Sequence, residues 1–328
     1  MNKKCLGCGV KLQSENELIK GYVKDIKMDY CMRCFRLKHY HEKSDMEFLV
    51  DNQKIIDSVN NIEGFVFFFI DILNLYSETI NLFKKIKRPK ILVISKIDTF
   101  GKEISFNVIK NWLNKYFKIT EEIIFIQNSF TSSNKILNVI ENKNEYEFYF
   151  LGITNAGKST LLNRLIENLE NKKNLITVSE MPNTTLDFIK IFLPNGKTIY
   201  DSVGLTYNYC FDDYDFMQKT LIKKPINPKT FLLKPFTYLT IENKIYIETV
   251  NLNSITFYGS NNLLVKKEYN KELGEPLLIN VKDKTNVYLK GVGFLYLKTA
   301  GKIKIYGISK ENVVVETSFL GGDFYGQN

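Results

Sequence analysis

Between residues 64 and 201 the chain carries six short apolar runs, Gly64–Asp71, Lys90–Ser95, Ile123–Gln127, Tyr146–Gly152, Leu186–Leu193 and Lys197–Asp201. Several are apolar throughout, as expected of strands covered on both faces. Amphipathic stretches at Phe106–Phe117 and Lys158–Glu170 predict helices that cover them. Asn195-Gly196, between the last two runs, is a two-residue hairpin signal. The pattern predicts a mostly parallel α/β sheet with one antiparallel pair.

Beyond about residue 225 the pattern changes. Pro225, Pro228 and Pro235 break helices, and short alternating runs follow at Lys244–Val250, Ser254–Tyr258, Leu277–Val281, Asn286–Leu289, Gly293–Leu297, Lys302–Tyr306 and Val313–Thr317. These predict a mainly antiparallel β domain with one helix between its strands. In Lys302-Ile303-Lys304-Ile305 the lysines share one face and the isoleucines the other. Lys282, Lys284, Lys290 and Lys298 are expected to extend that basic surface. The predicted organisation is therefore residues 1–48, 49–224 and 225–328.

The chain's 328 residues suffice for such cores, and 44% hydrophobic with 25% charged residues is ordinary for a soluble protein. The N-terminus has no signal-like apolar stretch, and the greasiest run, Phe65–Leu75, is broken by Asp71 and falls short of the roughly 18 residues of a membrane span. A monomeric cytoplasmic protein with no membrane partner is expected. The net charge of +9 is uneven: residues 1–50 contribute +3, 51–219 contribute nothing and 220–328 contribute +6. A neutral centre between two basic ends suits a protein whose flanks hold a polyanion.

Two C-x-x-C pairs, Cys5/Cys8 and Cys31/Cys34, lie a little over twenty residues apart. Each turn lets two thiolates face one centre, and two such turns complete a tetrahedral Zn²⁺ shell with no open position. Paired disulfides would fit the count but not a reducing compartment.

Gly152 to Ser159 reads G-x-x-x-x-G-K-S, directly after one predicted strand and at the start of a predicted helix. In that setting Gly152, Asn155, Ala156, Gly157 and Thr160 belong to a loop whose amides cradle phosphates. Lys158 would reach the terminal phosphates, and Ser159 would offer its hydroxyl to Mg²⁺. Asp201 ends another strand and could approach the same ion, with Gly204 after it and Thr184 or Thr185 in the preceding loop; Thr185 is favoured. Ser95-Lys96-Ile97-Asp98 ends the second strand. Asp98 would accept from guanine N1 and N2, and Lys96 would lay its stem over the base. The backbone of Asn128 and Ser129, after the third strand, is expected to touch the guanine oxygen. Adenine lacks the donors that such a carboxylate reads, which argues against ATP. The base motif would ordinarily follow the phosphate loop; here it precedes it, so the predicted fold is a circularly permuted phosphate-loop domain.

The five motifs, Cys5-Leu6-Gly7-Cys8-Gly9, Cys31-Met32-Arg33-Cys34-Phe35-Arg36-Leu37-Lys38, Gly152-Ile153-Thr154-Asn155-Ala156-Gly157-Lys158-Ser159-Thr160, Pro182-Asn183-Thr184-Thr185-Leu186-Asp187 and Tyr200-Asp201-Ser202-Val203-Gly204, resemble those of circularly permuted ribosome-assembly GTPases of the YqeH type. The resemblance implies a GTP/GDP-binding and hydrolysing switch with Mg²⁺ and Zn²⁺. Its implied partners are the small ribosomal subunit or its precursor and ribosomal RNA, the latter held by the C-terminal domain. It also implies a K⁺ ion held by Asn155 beside the phosphates. Four residues depart from the usual pattern. Ser95 stands for Asn, Asn183 for Gly and Val203 for Pro, and Leu205 occupies the place where many such proteins orient water with Gln. Leu205 implies slow turnover that depends on a partner or cation, and Ser95, Asn183 and Val203 raise the alternative of a nucleotide-binding RNA scaffold with little or no hydrolysis.

Overall fold

A computed structural model describes residues 3, 11–15, 22–29, 52–103, 105–171, 177–180, 189–202, 204–205, 214–222, 224–234, 236–251 and 254–321. Cys5, Cys8, Cys31, Cys34, Asn183, Thr184, Thr185 and Val203 lie outside these residues, so the zinc module and the threonine loop remain sequence expectations.

Seven strands form the first sheet: β1 (Phe65–Asp71), β2 (Lys90–Ser95), β3 (Ile123–Phe125), β4 (Glu147–Gly152), β5 (Thr177–Glu180), β6 (Ile189–Phe192) and β7 (Thr198–Asp201). Their order across the sheet is β3-β2-β1-β4-β7-β6-β5. The neighbours from β3 to β7 pair in parallel, while β6–β7 and β5–β6 are antiparallel. The sheet thus has two antiparallel pairs rather than the one expected, because β5 adds a second strand at that edge. All seven residues of β1 are buried. That explains its continuous apolarity, with each buried Phe worth about 1.5–3 kcal/mol. Parallel register sets Asp71 against Ser95 and Phe69 against Gly152. The base motif and the phosphate loop therefore emerge at the same edge, where open α/β sheets bind ligands.

Among the described residues the helices are α1 (Asn52–Asn60), α2 (Ser77–Lys85), α3 (Phe106–Phe117), α4 (Phe130–Asn142), α5 (Lys158–Asn171) and α6 (Tyr214–Thr220). Helix α3 buries Val108, Ile109, Trp112, Leu113 and Phe117 on one face, and the left-handed Lys118 (φ +57°) stops it.

The C-terminal region forms two five-stranded antiparallel sheets. The inner one comprises β8 (Lys229–Leu232), β11 (Ser254–Gly259), β14 (Thr285–Leu289), β15 (Gly293–Leu297) and β17 (Val313–Thr317). The outer one comprises β9 (Thr237–Ile241), β10 (Ile245–Thr249), β12 (Val265–Tyr269), β13 (Leu277–Val281) and β16 (Gly301–Tyr306). Ile241, Ile245, Ile247, Ile303, Ile305, Val287 and Leu295 fill the space between them. The expected helix is not found among the described residues here; only a short 3-10 turn, Lys310–Asn312, interrupts the strands.

Tyr288, Phe294, Val314 and Phe319 belong instead to the core of the seven-stranded domain, so the inner sheet is covered on both faces. Phe100 stacks on Tyr258 (5.3 Å between ring centroids, 4° between planes) and on Phe294 (6.0 Å). Trp112 donates its indole N–H to the Thr317 carbonyl at 2.8 Å. Lys290 is a correction to the expected basic surface. Only 6% exposed, it is pinned to Glu78 of α2 at 2.6 Å. Ile303 and Ile305 do turn inward as expected, while Lys304 contacts Glu248 at 3.2 Å.

Candidate phosphate and base site

The phosphate loop is built by close backbone approach. At Gly152 (φ +152°) any Cβ would collide with the backbone of Phe69 in β1, so only glycine fits where the loop leaves the sheet. Asn155 (φ +65°) and Gly157 (φ +84°) then bend the chain through left-handed conformations into the N-terminus of α5. Amides at such a helix start favour anions.

Lys158 is buried and donates to the Gly152 carbonyl at 3.4 Å. Burial lowers its pKa, and the nearby Asp201 carboxylate partly offsets this. Asp201 is its counterpart at the end of β7. Burial pushes its carboxyl up to about 6 against the opposing pull of Lys158. Asp201 Oδ1 is buried with no hydrogen-bond partner among the described residues. A buried anionic oxygen left orphaned is costly in the bare protein, and a divalent cation or its water would satisfy it. Asp201 thus fits the expected magnesium role, with Ser159, exposed at the head of α5, as the other described candidate.

Gly204 packs directly on the loop, where a Cβ would lie 2.9 Å from Thr154 Cα. The Thr154 amide and hydroxyl both donate to the Leu205 carbonyl, at 2.8 and 2.9 Å, and the Leu205 amide donates to Gly152. The Leu205 side chain is fully buried. The position that many phosphate-loop switches give to a water-orienting Gln is here a packing and backbone clamp.

The base end forms around a cavity of about 370 Å³. Ser95 lines it from the end of β2, Lys96 and Asp98 from the turn that follows, Asn128 and Ser129 from the β3–α4 loop, and Gly157 and Thr160 from the phosphate loop and α5. Lys96 (φ +57°) reaches Asp71 Oδ2 at 3.9 Å, and the Thr99 hydroxyl closes the turn onto the Lys96 carbonyl at 2.6 Å. The Ser95 hydroxyl, 3% exposed, donates to the Ala156 carbonyl at 2.6 Å. Serine in place of asparagine therefore keeps one tie between base motif and phosphate loop. Ser129 caps α4, its hydroxyl accepting from the Ser132 amide at 3.3 Å. Asn128 Oδ1 accepts from Arg164 Nε at 3.3 Å.

Lys158, Asp201 and Gly152 gather at the phosphate end and the base residues at the cavity, while Asn155 and Ser159 are exposed at the loop. Sequence reading missed Thr99, Arg164, Ile222 and Pro225, all of which line the cavity. Arg164 follows Lys158 by less than two helical turns, a signal that could have found it. Ile222 and Pro225 carried no comparable signal. No cluster of three or more His, Cys, Asp or Glu suited to a metal occurs among the described residues, and none of their helices is long and apolar enough to cross a membrane.

Residues 147–245 match a family profile described as "50S ribosome-binding GTPase". The chain is 27% identical over 361 aligned positions to YqeH of Bacillus subtilis (strain 168), described as uncharacterized, covering 96% of this chain and 99% of that protein. It is 22% identical to NO-associated protein 1, chloroplastic/mitochondrial, of Arabidopsis thaliana, covering 61% of this chain and 43% of that longer protein. The crystal structure of YjeQ from Thermotoga maritima overlaps 42% of this chain and 46% of its own at 17% identity and a TM-score of 0.30, too loose a match to compare the folds.

Proposed function

We propose that this relative of YqeH is a circularly permuted GTP-binding and GTP-hydrolysing switch that assists assembly of the small ribosomal subunit in the cytoplasm. The observation that carries the reading is one constellation at the sheet edge. Asp201, with its orphaned Oδ1, and the buried Lys158 stand at the phosphate end, and the Ser95–Ala156 hydrogen bond joins that end to a base cavity lined by Lys96 and Asp98.

In this reading the loop amides from Asn155 to Thr160 bind the diphosphate and Lys158 neutralises its terminal charge. Ser159, Thr185 and Asp201 hold Mg²⁺, which would neutralise charge developing between the β- and γ-phosphates. Asp98 selects guanine. The backbone around Asn128 and Ser129 closes the base side. Asn155 holds K⁺, and Cys5, Cys8, Cys31 and Cys34 hold a structural Zn²⁺. Switching follows from connectivity. The segment after Asp201 runs through Leu205 to α6, whose Phe216 is buried in the core between the two C-terminal sheets. That β domain, carrying a net +6 beyond residue 219, is the proposed RNA-binding arm.

GTP turnover by the intact protein in potassium against sodium, with added 30S or 50S particles, tests the proposal. Turnover that rises in potassium and with 30S particles is the expected result. Stimulation by 50S particles alone would redirect the partner to the large subunit, which the family description names. A second reading, a nucleotide-binding RNA scaffold, is favoured by one specific observation: Leu205 is buried where a water-orienting side chain would be needed. Tight GTP binding with no turnover under any of these conditions would select it.

A further inference from the structure

The cavity that the base motif lines has a third wall, and it comes from outside the expected motifs. Ile222, Lys224 and Pro225 line it together with residues of the loops after β2 and β3. They belong to the segment that leaves α6 and enters β8, the covalent bridge into the C-terminal sheets. This bridge is stapled on both sides. Towards the base motif, the Ile226 amide donates to the Thr99 carbonyl at 2.7 Å, one residue after Asp98, and the Ile226 side chain is buried in the core of the seven-stranded domain. Towards the β domain, the Asn261 side-chain amide donates to the Pro225 carbonyl at 2.7 Å, Asn261 Oδ1 accepts from the Asn227 amide at 2.9 Å, and the Ser260 hydroxyl donates to the Leu221 carbonyl at 3.2 Å. Phe100, two residues after Asp98, adds its ring stack on Tyr258 and Phe294.

We infer that residues 221, 222 and 224–227 are a nucleotide-binding wall, with Ile222 and Pro225 packing against the bound guanine and the base thereby fixing the bridge to the β domain. The inference rests on the guanine-nucleotide reading of the cavity. It differs from γ-phosphate switching in what it senses. The base is the same in GDP and GTP, so this contact distinguishes the empty protein from the loaded one, whichever nucleotide is bound. Pro225 suits the task, because its fixed φ presents a rigid edge. Ile222, half-buried, offers an apolar surface that costs no hydrogen bond to the base.

The test uses the full chain with two ligands that share the phosphate loop but not the cavity: GDP, and inorganic pyrophosphate with Mg²⁺. Titration calorimetry is expected to show Ile222→Asp weakening GDP by at least about tenfold while leaving pyrophosphate unchanged, as a charge set against a desolvated base should. A variant that is merely misfolded would lose both. For that case the wild-type protein supplies a second measurement: hydrogen exchange at the Ile226 amide should slow with GDP and with GTP by more than the general slowing that pyrophosphate gives to core amides. Equal GDP affinity in wild type and variant, or an Ile226 amide whose exchange GDP slows no more than that, overturns the inference. A wild-type protein that takes pyrophosphate but no GDP instead overturns the guanine reading on which the inference depends.

Discussion

Removing one oxygen atom at Ser95 is expected to do more than its size suggests. Its hydroxyl is the described side-chain tie from the base motif to the phosphate loop, and the acceptor, the Ala156 carbonyl, sits in a residue 1% exposed. Ser95→Ala should cost about 1–2 kcal/mol by leaving that carbonyl unpaired, read as a lowered urea midpoint. GDP affinity should fall with it, because the two halves of the site lose their mutual registration. An unchanged midpoint would mean that water replaces the hydroxyl. Asp201 gives a prediction in pH. Its folded-state carboxyl titrates near 6, above the ordinary value of 3.8, so the folded protein binds this proton more tightly than the unfolded chain does. Its stabilising contribution is therefore full below pH 4 and lost as pH rises through 6. In metal- and nucleotide-free protein, Asp201→Asn should flatten that part of the stability profile. A profile identical to wild type would show that Asp201 is not the titrating group. Residue identity was legible at both positions, but the consequence was not. Sequence can note that serine replaces asparagine, yet only the 2.6 Å contact tells what remains of the tie.

At the scale of elements, Ser129 separates capping from ligand binding. Its hydroxyl accepts from the Ser132 amide at the start of α4, so the side chain serves the helix, while the base contact expected here is a backbone one. Ser129→Ala should therefore lower stability by about 1 kcal/mol and leave GDP affinity within about twofold, since the proposed base contact is made by the backbone. A large affinity loss with unchanged stability would reverse the assignment. Helix α4 itself was not foreseen, for a related reason. It opens Phe130-Thr131-Ser132-Ser133-Asn134, residues that compete for their own backbone and favour turns. Ile136, Leu137 and Ile140, all buried, hold it in place by packing. By contrast α3, with Trp112 and Leu113 at helical spacing, was legible to its ends. Edge strand β12, Val265-Lys266-Lys267-Glu268-Tyr269, escaped notice because no residue of it is fully buried and β9 holds it by backbone pairing. Strands β14 and β15 were legible as strands, but not as the layer between two cores, since burial on both faces does not name the second face's partner.

The whole molecule is joined across that layer. Phe100 leaves the base motif and stacks on the inner sheet, Trp112 bonds to Thr317, and Lys290 reaches Glu78. The inner sheet shares Tyr288, Phe294, Val314 and Phe319 with the seven-stranded domain and a second core with the outer sheet, so the three should not melt apart. The intact protein is thus expected to give one calorimetric transition that spans both regions, and GDP should shift all of it upward. Phe100→Ala removes the ring packed on the Tyr258–Phe294 pair and opens a void beside the base motif, a change worth about 3 kcal/mol in a packed aromatic site. Because the loss falls on the junction rather than within either core, the single transition should split in two, with GDP raising only the one that belongs to the seven-stranded domain. Two transitions already present in the unsubstituted protein would show that the shared core is too weak to couple them. Any nucleotide signal would then have to reach the β domain along the chain itself, through Phe216 of α6 and the bridge that Ile226 ties to Thr99.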